Sequence, residues 1–205
     1  MFKRILIILV GLLLVCRPVF GARQIRPLSG SGILIVRPLD PERPAEMASI
    51  PFFRDPGVAR IAEFSAGQIP CLTTILDMPA GEYPYAVMGK KGQWLRIAYD
   101  DAGREGWMVI ERWWDYIPWE KFLKGRAARL LAGLKRKACV LHETPAETAS
   151  QTGVLAGQEV LRIVEVAGDW ALVVADSGMH GWLPWRDEDG RFLIDVDGGQ
   201  GVQKH

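Results

Sequence analysis

The stretch GQWLRIAYDDAGREGW at 92–107 returns as GDWALVVADSGMHGW at 168–182. Both carry a Gly-x-Trp, an apolar run, an acidic turn with glycine and a closing Gly-Trp. The two tryptophans stand thirteen positions apart in the first copy and twelve in the second. In WLRIAY, Leu95, Ile97 and Tyr99 face one way while Trp94, Arg96 and Ala98 face the other, the period-two pattern of a half-buried strand. DDAGRE is a turn by composition and GWMVI returns, so the stretch reads as a β-hairpin. The second copy reads as another, from WALVVA to GWLPW around DSGMH. Several short strands at close spacing, punctuated by glycine turns, predict an all-β chain of two small barrels.

Composition agrees. The 205 residues include 22 glycines and 8 tryptophans, a mix suited to short strands, tight turns and aromatic anchors. Apolar residues make up 49% and charged residues 24%, which is globular rather than disordered. A formal charge of +1 supplies no overall field to draw in nucleic acid.

Residues 1–22 read as a signal peptide. MFKR is basic, ILIILVGLLLV at 5–15 is apolar, and Gly21 and Ala22 are small residues at the cleavage point. The apolar run is shorter than the roughly 20 residues a bilayer crossing needs. The expectation is an exported protein of the periplasm or cell envelope; a retained anchor is the alternative. Val15 is bulky for a lipoprotein-processing motif at Cys16. Losing Lys3, Arg4 and Arg17 with the leader takes the formal charge to −2.

Residues 23–48 read as an irregular lead-in, with ILIV at 33–36 able to add an edge strand. The first unit, 49–118, opens on IPFFRDPG, a strand ending in a turn at Asp55, Pro56 and Gly57. Its middle, 58–88, is long and broken by Gly and Pro. A basic connector, 119–136, follows. Its apolar residues at 119, 122, 123, 127, 130, 131 and 134 have helical spacing. Gly125 and Gly133 each cost about 1 kcal/mol in a helix, so two short turns fit better than one rod. The second unit, 137–196, runs from ACVLHE through the polar loop TPAETASQTG and VLAGQEVLRIVEVAGD to the second hairpin. Residues 197–205 have nothing to bury and read as a mobile tail. Units of about 60–70 residues are near the lower limit for a lone core, and large buried indoles would help each hold.

The second unit resembles a bacterial SH3 (SH3b) domain. The resemblance is carried by CVLHETPAETASQTG, LAGQEVLRIVEV, GDW at 168–170 and GWL at 181–183. The first unit matches in GQW at 92–94, REGW at 104–107 and FFRDPG. Leu141, His142, Thr144 and Pro145 depart from the family's usual opening. The resemblance implies a partly open, five-stranded SH3-like barrel in each unit, joined by a short, partly helical connector. It also implies an envelope location and binding rather than catalysis.

Trp107 and Trp182 each follow a turn and head a strand, and are expected in the core. Trp94 and Trp170 start the preceding strands and are candidates for a half-exposed ligand surface. The aromatic stretch ERWWDYIPWEKF offers Trp113, Trp114 and Tyr116 as a groove for a glycan or peptide; the alternative is a staple between the units. The connector's cations allow contact with an anionic membrane, against the plainer role of packing between the units.

Enzyme readings are thin. The histidines are His142, His180 and His205, and a thiol nucleophile would be Cys71 or Cys139. Those two cysteines could instead form a disulfide, or stay as free thiols. No metal-spaced Cys/His cluster, complete EF-hand, Walker loop or dinucleotide fingerprint is present. No cofactor is expected. The function expected is recognition of a peptide, peptidoglycan or an envelope protein. The alternatives are a structural scaffold and, remotely, a Cys/His cell-wall hydrolase.

Overall fold

A computed structural model describes residues 26–39 and 49–197. The leader, residues 40–48 and the tail beyond 197 lie outside the described residues. Among the described residues the chain is almost entirely β, with one short α-helix. The strands are β1 (Gly32–Val36), β2 (Ser49–Asp55), β3 (Val58–Ser65), β4 (Tyr83–Val87), β5 (Gly89–Lys91), β6 (Trp94–Ala98), β7 (Glu105–Val109) and β8 (Asp115–Pro118). After helix α1 (Trp119–Leu123) come β9 (Ala127–Leu130), β10 (Val140–His142), β11 (Gln151–Val154), β12 (Leu161–Ala167), β13 (Trp170–Ala175), β14 (His180–Pro184) and β15 (Ile194–Val196). They form three antiparallel sheets, ordered β3-β2-β7-β6-β5, β4-β1-β8 and β11-β10-β14-β13-β12-β9-β15.

The doubled hairpin is the centre of a larger duplication. The order β3-β2-β7-β6-β5 recurs as β11-β10-β14-β13-β12. The pairings recur as well: Phe53 opposes Trp107 as His142 opposes Trp182, and Arg96 opposes Trp107 as Leu172 opposes Trp182. Even the irregularity recurs. The pairing of the opening strand shifts between Phe52 and Phe53 in one sheet and between Leu141 and His142 in the other.

Strand alternation decides which residues enter the cores. Leu95, Ile97 and Met108 point inward in the first sheet; Ala171, Val173 and Leu183 do so in the second. The glycine of each Gly-Trp pair also points inward, because the opening strand passes too close for a side chain. A Cβ on Gly106 would lie 3.1 Å from the Phe52 Cβ. One on Gly181 would lie 2.7 Å from the Thr152 hydroxyl oxygen and 3.0 Å from the His142 carbonyl oxygen. Phe52 and Leu141, the residues before each shift, are both fully buried.

Strand β1 differs from the expected edge strand. It is the middle strand of its sheet, and all five of its residues are buried. Leu34 and Val36 pack into the first core with Phe52, Tyr85, Leu95 and Met108. Ile33 and Ile35 pack into the second with Trp119, Phe122, Trp185 and Phe192. An unbroken apolar run suits a strand buried on both faces. One strand thus gives a face to each core.

The stretch read as a connector is mostly second core. Trp119, Phe122 and Leu123 of α1 are buried there, and β9 pairs with β12 and β15. The helix stops after five residues because Gly125 adopts a positive φ of 81° and its N–H donates to the Ile163 carbonyl. Ala128 and Leu130 then alternate inward as strand residues. Apolar positions 127, 130 and 131 matched a helical period only because a short strand gives too few residues to separate the two periods.

The N-terminal segment is tied across the second unit. Arg26 pairs with Asp187 at 2.6 Å and donates to the Phe192 carbonyl. Arg186 donates to the Ser29 hydroxyl and the Gly30 carbonyl, and the Trp119 indole N–H donates to the Ser29 carbonyl at 2.8 Å.

Candidate functional site

Residues directly opposed across a sheet share a face. In the first five-stranded sheet one such row reads Gly89, Arg96, Trp107, Phe53, Arg60. In the second it reads Glu165, Leu172, Trp182, His142, Gln151. Both rows lie on the side away from the apolar core. Next to each row stands the tryptophan that begins the preceding strand. Trp94 meets Phe53 edge-on, with centroids 5.4 Å apart and planes at 87°. Trp170 meets His142 the same way, at 5.4 Å and 83°. Each sheet therefore carries an outer aromatic cluster of matching geometry.

Trp107 and Trp182 need correcting here. They were expected in the core, but they are half-buried and stand in the outer rows. Alternation explains it: Gly106 and Met108 take the inward positions around Trp107, and Gly181 and Leu183 those around Trp182. The deeply buried indoles are Trp114, Trp119 and Trp185. The signal was present in the sequence, since each of these Trp residues alternates with an apolar neighbour that the core could use instead.

The five ligand-binding candidates fall in separate places. Trp94 and Trp170 are half-buried on the two outer faces, as their strand positions predict. Trp114 is buried, and its indole N–H donates to the Arg37 carbonyl at 3.1 Å, so it serves as an interior anchor of the first unit. Trp113 is 37% exposed and rests edge-on against Trp114. Tyr116, on β8, is half-buried and packs against Gly32, with the Lys90 ammonium 4.6 Å above its ring.

The first outer face carries paired charges, Arg60 with Glu63 and Arg96 with Glu105. The Arg96 guanidinium lies 5.7 Å from the Trp107 ring and pairs with Glu105 at 3.1 Å. The Trp170 side is concave. A cleft of about 1000 Å³ opens beside it, walled by Pro184 and residues 186–189 on one side and residues 131–135 on the other. That volume is at the upper end of the usual range for small-molecule sites. Asp187 organises one wall. Burial alone would raise its pKa, but the Arg191 and Asp189 amides and the Arg26 guanidinium outweigh it and hold the carboxyl below the ordinary range. A second recess, of about 640 Å³, is lined by Thr152, Leu172, Met179 and His180, with His142 at its back.

The thiols are both free and half-buried. Cys71 lies against the first core with its sulfur 3.4 Å from the Thr73 hydroxyl; Cys139 lies against the second with its sulfur 3.9 Å from the Lys135 carbonyl. The His142 Nδ1 faces the Ala149 carbonyl at 3.2 Å, and its ring meets Trp170. Among the described residues no group of three or more His, Cys, Asp or Glu side chains could hold a metal ion, and no helix is long and apolar enough to cross a membrane.

The chain is similar to the structure of NlpC1 from Trichomonas vaginalis at 8% identity, with a TM-score of 0.33. The match covers 79% of this chain and 49% of that one, so the chain spans about half its length. No protein-family model and no curated protein matches.

Proposed function

We propose that this is an exported, non-enzymatic recognition module of the cell envelope. Two SH3b-like units would each present an outer aromatic face to a peptide, a peptidoglycan stem or an envelope protein, with no cofactor. The observation that carries this reading is the repeated edge-on pair, Trp94 with Phe53 and Trp170 with His142, at matching register on both outer faces. The cores do not require it, because their inward positions are filled by other side chains. The half-buried rings of Trp94, Phe53 and Trp170 offer contact area at low entropy cost, while His142 is buried against Trp170. The basic, apolar-capped leader supports export. Nucleic acid and membrane are not the proposed partners; the connector's apolar side chains are occupied in the second core.

The test is a pull-down on purified peptidoglycan and on envelope extract. Binding is expected for the intact chain and is expected to drop in Trp94→Ala/Trp107→Ala or in Trp170→Ala/Trp182→Ala. Undiminished binding by both double variants removes the aromatic faces from the site. A scaffold role is the second reading, favoured by β1, which is buried on both faces and locks the two cores together. Capture of a partner that survives both double variants would favour it.

A further inference from the structure

We infer that the recess lined by His142, Thr152, Leu172 and Met179 is a subsite for a peptide amide, whose N–H donates to the His142 Nε2. The inference rests on the recognition reading above and names the ligand chemistry beside one of its two aromatic pairs.

His142 is only 6% exposed. Its Nδ1 lies 3.2 Å from the Ala149 carbonyl oxygen. A carbonyl only accepts, so Nδ1 carries the proton, and in the neutral ring Nε2 is left as an acceptor. Among the described residues Nε2 has no hydrogen-bond partner. Buried polar atoms are normally paired, so an open one calls for an explanation. No fully enclosed side-chain nitrogen or oxygen among the described residues lacks a partner, so Nε2 reaches solvent. The space that His142 lines is the recess of about 640 Å³. The duplicated frame does not ask for this nitrogen. Phe53 holds the corresponding place in the first unit and makes the same edge-on contact, 5.4 Å from Trp94, that His142 makes with Trp170. A phenyl ring therefore meets the packing, and the fold uses one imidazole nitrogen and leaves the other open at the back of a cavity.

The rest of the lining selects what can approach. Leu172 and Met179 are half-buried and give an apolar wall, and the unbranched thioether adapts to what it meets. Ser177, at the hairpin tip, donates its N–H to the Glu159 carboxylate at 2.8 Å, which fixes the backbone and leaves the hydroxyl for a ligand. The Thr152 hydroxyl is spent on the His180 carbonyl at 3.4 Å, and Glu143 stands exposed at the rim. A secondary amide suits this set. Its N–H serves Nε2, its carbonyl can accept from Ser177, and small apolar groups on either side rest on Leu172 and Met179. An ammonium suits it less, because a charge costs far more to desolvate than an amide does. Thr152 belongs to β11, the edge strand of the seven-stranded sheet, so an extended peptide laid along that edge brings its amides to the recess.

The experiment titrates the intact chain with three probes, followed by proton–nitrogen correlation spectra of the imidazoles. They are acetyl-alanine methylamide, its fully N-methylated analogue, which has no N–H, and N-acetylglucosamine. The free chain is expected to show His142 as the Nδ1–H tautomer. The methylamide is expected to bind about fivefold more tightly than the N-methylated analogue, the worth of one hydrogen bond to a neutral acceptor, and to move the Nε2 resonance. His142→Phe, which gives the second unit the residue of the first, is expected to keep the fold by circular dichroism and to erase that preference. The other tautomer, equal affinity for the two alanine probes, or a preference that survives His142→Phe overturns the inference. Tighter binding of N-acetylglucosamine than of the methylamide overturns it as well, since the subsite is then not one for a peptide. If His142→Phe fails to fold, the two alanine probes on the parent chain decide alone. Equal binding that Trp170→Ala/Trp182→Ala abolishes leaves the recognition reading standing. If no probe binds, the amide subsite is rejected, and the peptidoglycan pull-down decides the recognition reading separately.

Discussion

The five-stranded sheet and the matching five strands of the seven-stranded sheet share their strand order, their register shift and their edge-on aromatic pair, yet the chemistry of their outer faces differs. Arg96, Phe53 and Arg60 in the first row are replaced by Leu172, His142 and Gln151 in the second. Their cores differ too. Phe52, Tyr85 and Tyr99 dominate one, while Trp119, Trp185 and Phe192 dominate the other. Positions that fix the frame are held by packing, because a misplaced methylene is felt throughout a dense interior. Most positions on the outer face, His142 excepted, meet solvent and can change charge without moving a strand. Concavity came from outside the repeat: residues 131–135 and the N-terminal segment wall the second face only.

The largest effect expected is at the shared side of the second core. Trp119→Ala should cost about 3–5 kcal/mol in chemical denaturation, since a fully buried indole is lost and the Ser29 carbonyl loses its donor. Because β1 belongs to both cores, the loss should appear in one cooperative transition read by fluorescence and circular dichroism together. Two separated transitions would mean that the sheets unfold independently.

Next come the paired glycines. Gly181→Ala should cost about 2–3 kcal/mol and Gly106→Ala about 1–2 kcal/mol, as overpacking of a tight crossing. The second is milder because its new Cβ meets the Phe52 and Tyr99 side chains, whereas at Gly181 it meets the His142 backbone. Reversed magnitudes would show that the two crossings are not alike.

Smaller still, Trp94→Ala and Trp170→Ala should each lower stability by about 1 kcal/mol, the scale of an edge-on ring pair on a half-buried surface. Unequal losses would break the equivalence of the two clusters.

The smallest effect concerns acid. The folded pKa of Asp187 is depressed, so its contribution is present above the unfolded value of about 3.9 and is lost as pH falls through the folded value. Asp187→Asn should melt below the parent at neutral pH and converge with it in acid. Asp100, in the first hairpin turn, is also held low, by the Arg104 amide against a burial penalty and with help from the Arg104 guanidinium. Its partner Arg104 is largely exposed whereas Arg26 is half-buried, so Asp100→Asn should shift the melting profile less. A larger shift there would put the acid-sensitive clamp in the first unit.

Much of the frame was legible in the residues themselves. WLRIAY alternated as the structure has it, Asp55, Pro56 and Gly57 made the predicted turn, and Trp94 and Trp170 fell on outer faces. The pairing of Phe53 with Trp94 and of His142 with Trp170 was not legible, because each partner lies far along the chain.

By itself the sequence determined two like hairpins, their turns and the alternation within their strands. Period-two patterning and glycine chemistry act over a few residues, so they can be read in order along the chain. Tertiary structure alone decided that β1 serves two cores and that the chain after Gly125 continues as strand β9 in the second sheet rather than as a second helical turn. Those outcomes depend on which surfaces meet across long separations in sequence, and burial is a property of the meeting rather than of the residue.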